Sequence, residues 1–207
     1  MNRREVLGLL ALTPLTTALH WSPEAVSRAR AAAARARANP ADLELKFFTP
    51  QEFETVKALA DLIIPKDERS GSATEAAAPE FIDYILSEYP DNQVAVRGGL
   101  AWLDNEMRER TGGKAFIAAT PAQQTALLDD LAYPAKAKPE YSHGVEFFNR
   151  FRDMTAAGFF SSAMGWRDLQ YIGNVFNPGW NGCPPAANAK LGVSQDLMST
   201  FVRPEKD

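Results

Sequence analysis

The chain has 207 residues, 45% hydrophobic and 10% aromatic, enough for one domain with a sizeable core plus an N-terminal extension. Its net charge of −4 hides an asymmetry: residues 1–40 carry six arginines against Glu5 and Glu24, leaving 16 basic against 24 acidic side chains in residues 41–207. An acidic body without a basic stripe argues against nucleic acid as a partner, because phosphate contacts need clustered Lys and Arg.

Arg3 and Arg4 precede an apolar run from Val6 to Leu19, the layout of a twin-arginine export signal. The run is too short for a bilayer core, which needs about 20 residues, and Thr13, Pro14, Thr16 and Thr17 dilute it. No clean small-x-small triplet follows Leu19. Small residues gather in 27–38, an Ala/Arg stretch that reads either as a helical spacer or as the tail of the signal. Residues 1–40 are accordingly set apart as signal and spacer, residues 41–207 as the body, and the expected destination is the periplasm. The twin-arginine route carries proteins that have already folded, so a chain without a cofactor motif invites the question of what travels with it.

Helix signals dominate the body. Thr49-Pro50-Gln51-Glu52 combines an N-cap, a proline at the first helical position and a capping box; Phe53, Val56, Ala60 and Ile63 follow at helical spacing, and Pro65 stops the run. Pro79 opens a second helix with Phe81, Ile82, Ile85 and Leu86 on one face. The spacing predicts a third from about Asp91 to Thr111, ended by Gly112-Gly113. Thr120-Pro121-Ala122-Gln123 repeats the capping-box layout ahead of Leu127, Leu128 and Leu131. A last helix is predicted from about Gly144 to Met164, with Phe147, Phe148, Phe151, Met154 and Phe159 inward. No stretch alternates long enough to demand a strand, so the expected class is an all-α, single-domain bundle.

Beyond residue 165 the helical period is lost. Residues 166–190 are rich in Gly, Pro, Asn and aromatics and read as a long loop, of a length that is usually functional or disordered. Trp166, Tyr171, Ile172, Phe176 and Trp180 suit either of two roles there: closing over the chain's own core, or forming a contact surface for a partner, since Trp and Tyr are favoured at interface centres. The single cysteine, Cys183, rules out an internal disulfide and reads as a packed free thiol or as a cross-link to another chain.

Catalytic and cofactor signatures are missing. No Gly-x-Gly-x-x-Gly marks a dinucleotide turn, no Cys-x-x-Cys-His marks c-type haem, and no Gly-x-Ser-x-Gly elbow occurs. The two histidines, His20 and His143, cannot build a His-rich metal site. The acidic stretch from Asp61 through Asp67 and Glu68 lacks calcium-loop spacing and is interleaved with Lys66 and Arg69. The chain therefore reads as carrying no cofactor or metal of its own.

Three segments resemble the gluconate 2-dehydrogenase subunit 3 family. They are the twin-arginine leader; Ala60-Asp61-Leu62-Ile63-Ile64-Pro65-Lys66-Asp67 with Ala73-Thr74-Glu75-Ala76 and Phe81-Ile82-Asp83; and Leu169-Gln170-Tyr171-Ile172-Gly173-Asn174-Val175 leading into Trp180-Asn181-Gly182. Arg69-Ser70-Gly71-Ser72 departs from the Ser-Pro-Gly turn usual in relatives. The resemblance implies a non-catalytic small subunit that stabilises a large FAD-dependent dehydrogenase of the glucose-methanol-choline type and supplies its export signal, often beside a multihaem cytochrome c. A stand-alone enzyme would need catalytic residues that the sequence does not offer. A periplasmic ligand-binding or structural module is the remaining alternative.

Overall fold

The computed structural model describes residues 21–171 and 183–192. These form eight α-helices joined by short 3-10 turns, with no strand among them. Contacts divide the chain into a unit ending at Tyr171 and a second beginning at Ile172.

The first helix, α1 (Pro23–Ala38), is capped by Ser22, whose Oγ accepts the Ala25 N–H at 3.1 Å. Its buried stripe is alanine: Ala25, Ala29 and Ala33, one per turn on a single face. This is the stretch for which the sequence left spacer and signal tail open. In the fold it lies against a helix of the body, α3 (Ala78–Glu88). The Ser22 N–H donates to the Tyr89 hydroxyl at 2.7 Å, and the Trp21 ring meets Phe81 edge-on.

Two helices begin as their sequence signals predict. Helix α2 (Pro50–Ile63) has the reciprocal Thr49–Glu52 capping box, and α5 (Pro121–Ala132) the Thr120–Gln123 one. Helix α4 (Gln93–Thr111) ends at Gly112 with φ 72°, the left-handed residue that suits glycine. Helix α3 is apolar along Phe81, Ile82, Ile85 and Leu86, all at most 1% exposed. It packs against α1, α2 and α6 (Ser142–Phe160). The polar residue α3 itself buries is Asp83, whose carboxylate accepts the N–H groups of Lys46, Phe47 and Phe48 at 2.7, 3.0 and 2.8 Å.

Helix α6 is the axis of the bundle, touching α2 to α5 and the short helix α7 (Ala163–Asp168). Close crossings use glycine. A Cβ on Gly99 would land on the Phe147 ring, one on Gly144 on the Trp102 ring, and one on Gly158 within 3.1 Å of the Ala78 backbone. At the far end of α4, Arg110 reaches Glu106 and Asp130, both at 2.8 Å, and the Tyr141 hydroxyl at 2.8 Å. Burial works against the guanidinium charge there, but the hydrogen bonds it donates to Glu106, Asp130 and Tyr141 outweigh it and raise its pKa.

Two expectations are corrected. The last long helix does not continue to Met164: it stops at Phe160, and α7 starts afresh after Ser162. The apolar stripe continues through the break, but Ser161 and Ser162 turn their hydroxyls back to the carbonyls of Gly158 and Phe159, and Ser162 Oγ also caps α7. Residues 166–190 are also not loop throughout, since Trp166–Asp168 completes α7 and α8 (Pro185–Leu191) is helical. Among the described residues, no helix is long and apolar enough to cross a membrane.

Candidate partner-docking surface

Ser161 and Ser162 follow Phe160 and separate the end of α6 from the start of α7 at Ala163. Gly165 sits against the end of α6, where its N–H donates to Ser162 Oγ at 3.1 Å, and it has room for no side chain: a Cβ would strike the Phe159 carbonyl and come within 2.6 Å of Phe160 Cα. The next residue, Trp166, is thereby placed on the surface.

Helix α7 closes with a reciprocal pair of hydrogen bonds. The Tyr171 N–H reaches the Trp166 carbonyl at 2.9 Å and the Gln170 N–H reaches the Arg167 carbonyl at 3.1 Å, with Gln170 left-handed at φ 55°. That pairing is a Schellman motif, which brings the residue after the left-handed position over the helix's last turn. Here it sets Tyr171 against Trp166, ring centroids 5.8 Å apart and nearly perpendicular, a favourable edge-to-face geometry. Arg30 of α1 lies over the Trp166 ring, its Cζ 4.5 Å from the centroid, within cation–π range. Trp166, Leu169 and Tyr171 remain 38%, 48% and 58% exposed, so the α7 terminus is an apolar ridge with an arginine on its flank.

The ridge is anchored from below. Asp168, 8% exposed, faces inward; Arg69 donates to its carbonyl at 2.7 Å and approaches its carboxylate at 3.6 Å. Arg69 is presented by a tight turn in which Asp67 Oδ1 accepts the N–H groups of Arg69 and Ser70 at 2.8 and 2.9 Å, the way an Asp side chain mimics a backbone turn. The Arg69-Ser70-Gly71-Ser72 departure is thus the segment that ties the α2–α3 loop to α7.

Of the residues singled out from sequence for docking, the fold brings Trp166 and Tyr171 side by side on the surface. Ile172, Phe176 and Trp180 lie outside the described residues, as do Arg3 and Arg4 of the leader. Cys183 is a half-buried free thiol in the second unit, and His143 is exposed at the start of α6. Sequence reasoning missed Arg30, Arg69 and Asp168. Their partners are remote in the chain, and the one available signal was the Asp67–Ser70 turn pattern. Leu169 was quoted only as part of a motif.

Compared with known proteins, the chain matches one family description, gluconate 2-dehydrogenase subunit 3, over residues 50–179. That span takes in every helix from α2 to α7. No curated protein and no solved structure matches it.

Proposed function

The chain belongs to the gluconate 2-dehydrogenase subunit 3 family, and we propose from that premise that it is the non-catalytic small subunit of its dehydrogenase complex, gripping and escorting a large FAD-dependent subunit of the glucose-methanol-choline type. Flavin, and c-type haem where a cytochrome subunit is present, belong in this reading to the partners. The observation that carries it is the Trp166–Leu169–Tyr171 ridge. Three large apolar side chains stand in solvent on a helix end that is buried and clamped underneath, the form of a rigid anchor whose entropy cost of binding is already small.

The test is Trp166→Ala with Tyr171→Ala in the full chain co-purified with its dehydrogenase subunit. Because the rings are exposed, the melting midpoint should fall by no more than about 4 °C, as a loss near 1 kcal/mol gives for a chain of this size. Affinity for the large subunit should weaken by about 30-fold or more, the loss of at least one interface hot spot. Retention of the large subunit at undiminished affinity would refute the ridge as the dock.

Escort further implies that Arg3 and Arg4 act as the export signal of the pair. Arg3→Lys with Arg4→Lys keeps the charge but removes the planar guanidinium fork. Both this chain and the dehydrogenase subunit should then stay in the cytoplasmic fraction. An unchanged periplasmic yield of both would count against the export role.

A further inference from the structure

Helix α1 carries four arginines, and the fold treats them as two rows. Arg28 and Arg35 fall on the edge facing the body's own carboxylates. Arg28 pairs with Glu88 at 2.7 Å and pulls the Glu88 carboxyl below its usual range. Arg35 lines a cavity of about 460 Å³ together with Glu44, Glu80 and Asp83. Arg30 and Arg37 fall on the opposite edge. Among the described residues neither has a carboxylate partner; Arg30 rests on the Trp166 ring, and Arg37 is exposed. Seven residues apart on one helix, they stand roughly 10 Å apart along its axis.

Both line one groove. It has a volume of about 680 Å³ and runs between α1, α3 and the α6–α7 junction, with Phe81, Gly158, Ser162 and Ala163 among its walls. The walls are mostly Ala, Gly and Ser, so the bulk needed to fill the groove must come from whatever enters it. At its Arg30 end, the arginine that lines it also covers the Trp166 ring.

We propose that this groove receives an acidic segment of the dehydrogenase partner, carrying two carboxylates roughly 10 Å apart to pair with Arg30 and Arg37, with apolar side chains between them. The spacing is two turns of helix or about three residues of extended chain. The inference rests on the small-subunit reading and deepens it by naming the chemistry of the docking segment. Charge complementarity favours a protein segment over an anionic membrane. The body from residue 41 onward carries 16 basic against 24 acidic side chains and would be repelled by an acidic bilayer, whereas a narrow segment meets only the local arginine row.

The experiment compares the full chain with Arg37→Gln, Arg30→Gln/Arg37→Gln and a control, Arg108→Gln/Lys114→Gln at the far end of α4. Each is titrated with the large dehydrogenase subunit at several salt concentrations. Arg37 does not touch Trp166, so its single variant isolates the groove from the ridge. Expected results are a loss of about 5-fold for Arg37→Gln and about 30-fold for the double variant at low salt, with a flattened salt dependence, since interfacial charges act through screened Coulomb attraction. Slower amide exchange over residues 27–38 in the complex should accompany binding by the unaltered chain. Affinity and salt slope of both groove variants equal to the control would overturn the proposal while leaving the small-subunit reading intact. Failure of the unaltered chain to bind the large subunit would overturn both. Binding of the unaltered chain to phosphatidylglycerol vesicles, abolished in the double variant, would replace the protein occupant with a membrane.

Discussion

Asp83→Ala is expected to remove about 3–5 kcal/mol of stability, a large share of the 5–15 kcal/mol that holds a typical domain together. The carboxylate is 3% exposed and accepts three consecutive backbone N–H groups, from Lys46, Phe47 and Phe48. Those bonds fix the bend that leads into α2 and hold Phe47 and Phe48, 8% and 4% exposed, in the core. Alanine would orphan all three donors, two in buried bonds, and each buried donor left without a partner costs about 1–3 kcal/mol. Asp83→Asn keeps the volume and one acceptor oxygen but turns an amide N–H₂ towards a donor, so about half the loss should remain. Urea denaturation followed by circular dichroism measures both. An Asp83→Ala chain within 1 kcal/mol of the parent would mean that the loop holds itself, a result the buried donors make implausible on the same energetic grounds.

Gly165→Ala should cost nearly as much and act on the ridge besides. Most overpacked positions relax because the neighbour is a side chain that can turn away; here the nearest atoms are the Phe159 carbonyl and Phe160 Cα, which cannot. Helix α7 must then lift off the end of α6. The expected loss is about 3 kcal/mol, the upper end for an inserted methyl, or a melting point lower by about 6–12 °C. Lifting α7 also strains the Arg69–Asp168 tie, so affinity for the large subunit should fall as well, but by less per degree of melting lost than with Trp166→Ala and Tyr171→Ala, which remove the rings themselves. Gly98→Ala is the matched control. Nothing lies within 4 Å of its Cβ position, and alanine in an open helix interior should stabilise by about 0.5–1 kcal/mol. Equal melting points for the two variants would remove the steric account of Gly165.

These two residues mark where the sequence stops being readable. The Thr49 and Thr120 capping boxes and the Gly112 terminus were legible because each involves groups within a few positions of one another. The stripes of α3 and α6 were legible because large apolar side chains recur at helical spacing. The end of α6 was not, because a serine cap lay inside a stripe that ran past it, and the stripe is the louder signal. Nor was α1 as part of the body: its inward face is Ala25, Ala29 and Ala33, and alanine looks alike on a buried face and an exposed one. Asp83 stood in the sequence only as part of a quoted motif, its role hidden because its partners lie 35 to 37 positions away. For the candidate docking surface, residue types told where large aromatics stood. The pairing of Trp166 with Tyr171, the arginine above and the clamp below depend on a helix terminus that only the fold displays.

The alanine stripe of α1 also bears on maturation. A processing peptidase grips its substrate as an extended strand, and the small residues that could form a cleavage site lie within 27–38, inside a helix seated on α3. To cut there, several turns must first unwind and Ala25, Ala29 and Ala33 must leave their seats. Any cleavage within α1 would therefore be limited by a local opening equilibrium, and each contact that holds α1 down would lower the fraction of molecules open to cutting. An acidic segment lodged beside Arg30 and Arg37 would add to that hold, so assembly with the partner would itself slow trimming of the chain.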